Sequence, residues 1–303
     1  MTRLCLSLAL VVTAGGCNLT ALAVNTTVPA IKKASENFAM ESDVQLARDA
    51  APGQLKTADG FLATVPENRL LLEVCSQGYV EYAFGFLEDD LETTPDDNAH
   101  AAEREKIAAR ATDLYDRALA FALRLLATDD KFFGDAFRKD VTTLENEAKK
   151  LDKDSASGLL FAGLALGSSI NLNRNDVGRV VDLPKAIVLL KRSHDLDPKF
   201  YNAGAAMTLG IVYSSQGKAM GGNPELSKQY FDEAIAATGG RYLMTKVMFA
   251  RFYAVVMQDR ALFESTLKEV IATPANVFPQ QRLANELARR RAARYLAHVE
   301  DYF

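Results

Sequence analysis

The residues best placed for chemistry stand at the start of the chain. Arg3 opens a short basic segment, Leu4 to Val12 form an apolar run, and Ala14-Gly15-Gly16 lead into Cys17. The apolar run is too short to cross a bilayer as a stable helix. Small residues fit the narrow cleft of a signal peptidase. A thiol at the cleavage point can take a diacylglycerol chain through a thioether. Cleavage between Gly16 and Cys17 then frees an amine for one more acyl chain, and several chains anchor a protein where one gives only marginal binding. The order of these features predicts lipidation at Cys17 and a lipid anchor in a bacterial envelope. An ordinary secretory signal with an incidental Cys is the alternative. Ala14 stands where a lipobox usually has Leu. Asn18 follows the Cys in place of the Asp that often retains lipoproteins at the inner membrane, which favours the outer membrane in a two-membrane host.

The other candidate constellations point away from catalysis. Gly217 to Pro224 is glycine-rich but lacks the Lys-Ser/Thr end of a phosphate-binding loop. The acidic stretch Glu88-Asp89-Asp90-Leu91-Glu92, with Asp96-Asp97 beyond it, lacks the alternating ligands and Gly of a calcium loop, and reads as a charged interhelical loop. His100, His194 and His298 are too scattered to share a metal, and no zinc or nucleophile motif occurs. The run Arg289-Arg290-Arg291, with Arg282 and Arg294, reads as a solvated helix face paired with Glu286 or Glu300. Contact with a neighbouring subunit is its alternative. No catalytic residue, metal or cofactor is expected. Cys75, the one cysteine left beyond Cys5 and Cys17, reads as a small buried hydrophobe.

The elements that must carry these residues are helices. The 303 residues are 49% hydrophobic and 24% charged, an ordinary globular balance. Ala and Leu recur throughout, and no long Val/Ile/Thr alternation marks a strand. The formal charge is −4, becoming −5 once Arg3 is removed with residues 1–16, so nothing suggests a nucleic-acid partner. Breakers divide the chain into amphipathic segments: Ala51-Pro52-Gly53, Pro66, Thr94 to Asp97, Thr128 to Asp130, Leu151 to Asp154, Asn171 to Asn175, Pro184, Asp197-Pro198, Gly217 to Pro224, Gly239-Gly240, Gln258-Asp259 and Thr273-Pro274. Residues 1–16 read as a signal peptide, 17–30 as a lipidated tether, and 31–303 as a single α-helical domain.

Helix pairs of tetratricopeptide (TPR) type pack a small residue of one helix against a large residue of the next, at a period of about 34 residues. Leu209-Gly210 and Tyr213 match the first helix of such a unit, and Ser227, Phe231 and Ala234 the second. Ala186, Leu190, Ser193 and Pro198 keep the second-helix spacing, as do Ala111, Tyr115 and Ala118, and Phe263, Leu267 and Val270. The predicted fold is all-α, an irregular TPR-like solenoid or bundle.

The C-terminal half resembles the TatT family, the T component of tripartite ATP-independent periplasmic (TRAP) transport systems. The residues that carry the resemblance are Asp182-Leu183-Pro184, Leu196-Asp197-Pro198, Ala219 to Glu225, Tyr230 to Ile235, Gly239-Gly240, Gln258-Asp259-Arg260 and Arg282 to Ala292. Pro66-Glu67-Asn68, Leu70-Leu71 and Tyr79 through Glu88 extend it to the N-terminal part, and the lipobox fits too. Family members carry a Trp in the helix near residues 157–170. This chain has no Trp, and Phe161 is the aromatic candidate there. The resemblance implies a periplasmic lipoprotein that forms a homotrimer, engages the substrate-binding P component, and passes a small or hydrophobic ligand. It also suggests that Met220, Gly221, Gly222, Asn223 and Pro224 form a partner or subunit interface, Met220 being a soft contact residue. A generic TPR-like lipoprotein scaffold for envelope assembly is the alternative reading.

Overall fold

The computed structural model describes residues 19–215 and 222–303. Among the described residues the regular elements are all helical. In chain order they are α1 (Leu19–Phe38), α2 (Val44–Phe61), α3 (Arg69–Tyr82), α4 (Glu88–Thr93), α5 (Ala101–Asp129), α6 (Phe133–Phe137), α7 (Val141–Ala148), α8 (Ala156–Leu172), α9 (Val177–Val180), α10 (Leu183–Leu196), α11 (Phe200–Ser215), α12 (Pro224–Ala237), α13 (Leu243–Met248), α14 (Arg260–Ala272) and α15 (Arg282–Ala297). Two π-helical segments, Ala83–Leu87 and Phe249–Ala254, extend α3 and α13.

Local chemistry explains most of the boundaries. Asp43, Asn68, Asp140, Asp176, Asn223 and Asp259 each accept backbone N–H groups that the first turn of the following helix would leave unpaired. Gly239 and Gly240 take φ of +60° and +69°. The Gly240 N–H reaches back to the Ile235 carbonyl at 2.8 Å, which closes α12 with a left-handed cap.

Small residues let the helices approach. A methyl group added at Gly210 on α11 would lie 2.8 Å from the fully buried Phe231 ring on α12. The Ser227 hydroxyl donates to the Gly210 carbonyl at 2.8 Å across the same interface. Gly163 on α8 meets Leu190 on α10 in the same way, Gly158 on α8 meets Leu126 on α5, and Gly78 on α3 meets Leu55 on α2. A buried Phe or Leu in such a seat contributes about 1.5–3 kcal/mol. The predicted small-to-large packing therefore holds, and Ala111, Tyr115, Ala118, Ala186, Leu190, Phe263, Leu267 and Val270 are all fully buried as their spacing requires. Residues Lys153–Leu172 are long and apolar enough to cross a membrane by length and composition. Packed between α5 and α10, the segment is instead the central core helix.

The row of helices curls until its end meets its beginning. α15 packs on α13 and α14 and also touches α2, and the Leu283 N–H donates to the Ala39 carbonyl at 3.0 Å. Asn285 on α15 is buried and fully satisfied. Its amide accepts from Leu243 N–H at 2.9 Å and donates to the Arg241 and Ala275 carbonyls.

Four expectations change. Residues 19–30, read as part of a tether, are already helical, because Val24 and Val28 are buried and Lys32 pairs with Glu73 on α3 at 3.1 Å. Pro29 sits inside that helix. Pro52 does not break α2, whose buried stripe Val44, Ala47, Ala51, Leu55 and Ala58 runs through it, so packing overrides the lost rung. The acidic stretch is helical, with Glu88, Asp89 and Asp90 forming the first turn of α4. The arginine run is not uniformly solvated. Arg290 is exposed and Arg282 and Arg289 lie near Glu286, but Arg291 is 1% exposed and points to the acidic stretch.

Candidate functional site

Closure of the helical row leaves two cavities. The smaller, about 480 Å³, lies among α1, α2, α3 and α15, with Ile31, Phe38, Leu55 and Leu287 in its wall. The larger, about 880 Å³, is bounded by α8 to α11, both π-helical segments and α15, with Leu164, Met207, Ile211 and Phe252 in its wall. Both lie within the range of ligand-holding pockets and are mostly apolar, with a few convergent polar groups. They share Glu81, Phe84, Tyr201 and Tyr242, which form a waist between them.

Strain and charge meet at that waist. Tyr201, Asn202 and Ala203 are all left-handed, with φ of +49°, +57° and +59°. A non-glycine residue in that conformation costs about 1–2 kcal/mol, so three in a row persist only where the surroundings impose them. The turn aims the Tyr201 hydroxyl at Glu81, to which it donates at 2.5 Å, and Gln77 donates to the same carboxylate at 2.8 Å. Glu81 is exposed where it faces the cavities, and desolvation by their walls raises its pKa above the ordinary carboxylate value. The π segments add one residue to a helical turn and commonly occur at functional sites. Here one presents Phe84 and leads into Glu88, and the other presents Arg251 and Phe252 to the larger cavity.

The charges of the larger cavity fall into two groups. Burial pushes Glu88 up to about 7, and it accepts the Tyr115 hydroxyl. Glu92 accepts from Arg294 at 2.5 Å and from the Tyr295 hydroxyl at 2.9 Å. Arg291 lies 3.4 Å from Asp89 and stacks over the Phe84 ring at 4.4 Å. Asp89 and Glu92 thus balance Arg291 and Arg294, while Glu88 is held by a tyrosine hydroxyl. Arg174 and Arg251 do not share that balance. Arg174, exposed at the cavity mouth, donates to the Asn171 amide oxygen, and Arg251 lies over the Tyr302 and Phe252 rings at 4.8 and 5.7 Å. Among the described residues no carboxylate lies within ion-pair distance of either. Partial desolvation at the mouth, followed by the Arg251 charge, lowers the Arg174 pKa below the ordinary guanidinium value.

The residues singled out from sequence are placed elsewhere or not at all. Gly16, Cys17, Met220 and Gly221 lie outside the described residues. Gly222 is half-buried, Asn223 caps α12 and receives a 3.0 Å hydrogen bond on its side chain from the Leu226 N–H, and Pro224 opens α12. His100, His194 and His298 each pair with a separate carboxylate, Asp97, Glu233 and Asp301. Among the described residues no group of three metal-ligating side chains comes together. Cys75 is buried, its thiol pushed up to about 12 by burial. Phe161 is buried against Phe200 and Tyr201, behind the waist and outside the cavity walls.

Sequence reasoning missed Glu81, Tyr201, Arg174 and Arg251. A signal existed for two of them. Glu81 stands in an apolar, aromatic stretch, and Arg251 is the sole charge from Val247 to Met257. A charge that cannot reach solvent from such a stretch needs either a partner or a cavity. Nothing in the sequence marks the left-handed turn at Tyr201.

A family model described as TRAP transporter T-component matches residues 40–303. A protein of Treponema pallidum (strain Nichols), described as uncharacterized, is 23% identical over 267 residues, covering 88% of this chain and 82% of the relative.

Proposed function

The chain belongs to the TRAP transporter T-component family, and from that premise we propose that it is a lipid-anchored accessory subunit that docks the substrate-binding component and passes a small, largely apolar ligand. The family is one of transporter components, not of enzymes. The observation that supports ligand passage is the pair of apolar cavities meeting at Glu81 and Tyr201. A chamber on each side of a hydrogen-bonded waist suits stepwise transfer better than tight storage, because hydrogen bonds such as that between Tyr201 and Glu81 part at modest cost. Docking calls for a complementary surface, for which the segment from Met220 to Pro224 is the candidate, and assembly as a homotrimer would present three such segments. Cys17 holds the protein to the envelope membrane, facing the periplasm.

Affinity capture of the tagged protein from its native envelope, with mass spectrometry of the eluate, tests this reading. A TRAP substrate-binding protein is expected in the wild-type eluate and depleted from that of Met220→Asp. Recovery of envelope-assembly factors with no binding protein would favour a general scaffold instead. Cys17→Ser is expected to release folded protein from the membrane, and continued membrane attachment would refute lipidation at that residue.

A further inference from the structure

We propose that the smaller cavity takes an organic ammonium with an apolar body, its cationic head set against Glu81 and its body lying on Ile31, Leu55 and Leu287. This rests on the reading of the two cavities as space for a ligand and adds the class of headgroup that the smaller one takes.

Glu81 is the single charged side chain among the described residues that line this cavity; the rest of the wall is apolar, aromatic or neutral. Its two hydrogen bonds, from the Tyr201 hydroxyl at 2.5 Å and the Gln77 amide at 2.8 Å, both end on Oε1. Oε2 accepts none among the described residues, and Glu81 makes no ion pair there. Lys32, Arg48 and Lys56, on the neighbouring α1 and α2, pair instead with Glu73, Asp90 and Asp59. A carboxylate oxygen without a partner in an apolar chamber is costly, and the raised Glu81 pKa expresses that cost. An ammonium N–H donated to Oε2 supplies the missing hydrogen bond and the missing charge together. The aromatic part of the wall suits the same guest, because ring faces attract cations. Arg291 already takes a face of Phe84 at 4.4 Å, whereas no protein cation stacks on Phe38, Tyr201 or Tyr242 among the described residues. Tyr201 and Tyr242 share the waist with Glu81, so ring faces and carboxylate stand at one end of the chamber. Arg174, Arg251 and Arg291 border the larger cavity and not this one, so an ammonium meets no like charge here and an anion meets no counter-charge. The volume of about 480 Å³ is enough for a small amphiphile.

Three probes of equal chain length separate headgroup charge from apolar binding: hexylammonium, hexanol and hexanoate. They are titrated calorimetrically into the full chain in phosphatidylcholine nanodiscs, with empty nanodiscs as the reference. Hexylammonium is expected to bind at least about tenfold more tightly than the other two, the gain a hydrogen bond between charged groups brings. Glu81→Gln keeps an acceptor for Tyr201 and is expected to erase that preference while hexanol binding stays unchanged. Ala34→Trp, on the exposed α1 wall of this cavity, fills the chamber and is expected to remove hexylammonium binding. It places the site in the smaller cavity and serves if Glu81→Gln does not fold. Equal binding of all three probes, a preference for the anion, or tight hexylammonium binding that survives either variant overturns the proposal while leaving the passage intact. Failure of every probe to bind above the empty nanodiscs overturns the passage together with it.

Discussion

Arg291 and Arg251 border the same cavity, and the fold treats their charges in opposite ways. Arg291, on α15, is almost wholly buried against Phe84, with Asp89 3.4 Å away, and Arg294 one turn on binds Asp89 at 2.7 Å. Arg251, on a π-helical segment, packs on aromatic faces and has no carboxylate within ion-pair distance among the described residues. The first site joins segments about 200 residues apart and closes the curled row of helices. The second reaches only across to Tyr302 near the C-terminus, through a ring face and not through an opposite charge. Burying an arginine with its carboxylate builds structure, whereas holding one beside an apolar cavity without a carboxylate leaves a charge on offer. The two should respond differently to the same substitution.

The largest effect is expected at the closure. Arg291→Ala removes the cation beside Asp89 and opens a void against Phe84. Breaking a buried pair by deleting one partner costs about 3–5 kcal/mol. In a domain of this size that corresponds to a melting temperature lowered by roughly 6–20 °C, at about 2–4 °C per kcal/mol. Arg291→Met keeps volume and is expected to cost less, since Arg294 still neutralises Asp89. Thermal unfolding of the two variants checks this, and a loss below about 1 kcal/mol for Arg291→Ala would mean that the arginine does not close the fold.

A smaller, pH-dependent effect is expected at Glu88, in the wall of the same cavity. Its folded pKa of about 7 is above the ordinary 4.5 because burial disfavours the carboxylate. Between those values the folded state holds a proton that the unfolded state has lost. The stability Glu88 contributes is thus fully present below pH 4.5 and is lost as pH rises through 7. One pKa unit is worth about 1.4 kcal/mol; discounting for partial access from the cavity leaves an effect on the order of 2 kcal/mol. Glu88→Gln keeps a hydrogen-bond acceptor for Tyr115 and cannot ionise. Urea unfolding at pH 4.5 and pH 8 is expected to show the variant gaining on the wild type as pH rises. Parallel pH profiles would show that the Glu88 carboxylate is well solvated after all.

These contrasts mark where the sequence was legible. The helical fold could be read from apolar spacing and from Asn, Asp, Gly and Pro at element ends, because helix periodicity and capping are local. Even the Gly210–Phe231 seat was visible, since a repeating helix pair fixes which small residue faces which large one. Closure was not legible. Glu88 to Glu92 and Arg289 to Arg294 each look like a solvated charge run, and nothing within either names the other as its partner. The cavity was hidden for the same reason: it is the space left by closure, and its walls come from helices distant in sequence. Pro52 shows the converse error, a strong local breaker outweighed by a buried stripe that continues on both sides of it.

The smallest expected effect is the sharpest test of the contrast. Arg174 makes no ion pair among the described residues, and its Asn171 contact is a local one on the surface. Arg174→Met therefore strands no buried carboxylate, and its stability is expected to stay within about 0.5 kcal/mol of the wild type, the usual range for surface changes away from a network. A modest gain would follow if relief from the Arg251 charge outweighs the lost hydrogen bond. Chemical denaturation in the absence of any added anion measures it. If Arg174→Met instead lost stability as Arg291→Ala does, Arg174 would belong to the framework, and the two arginine groups would differ in place but not in role.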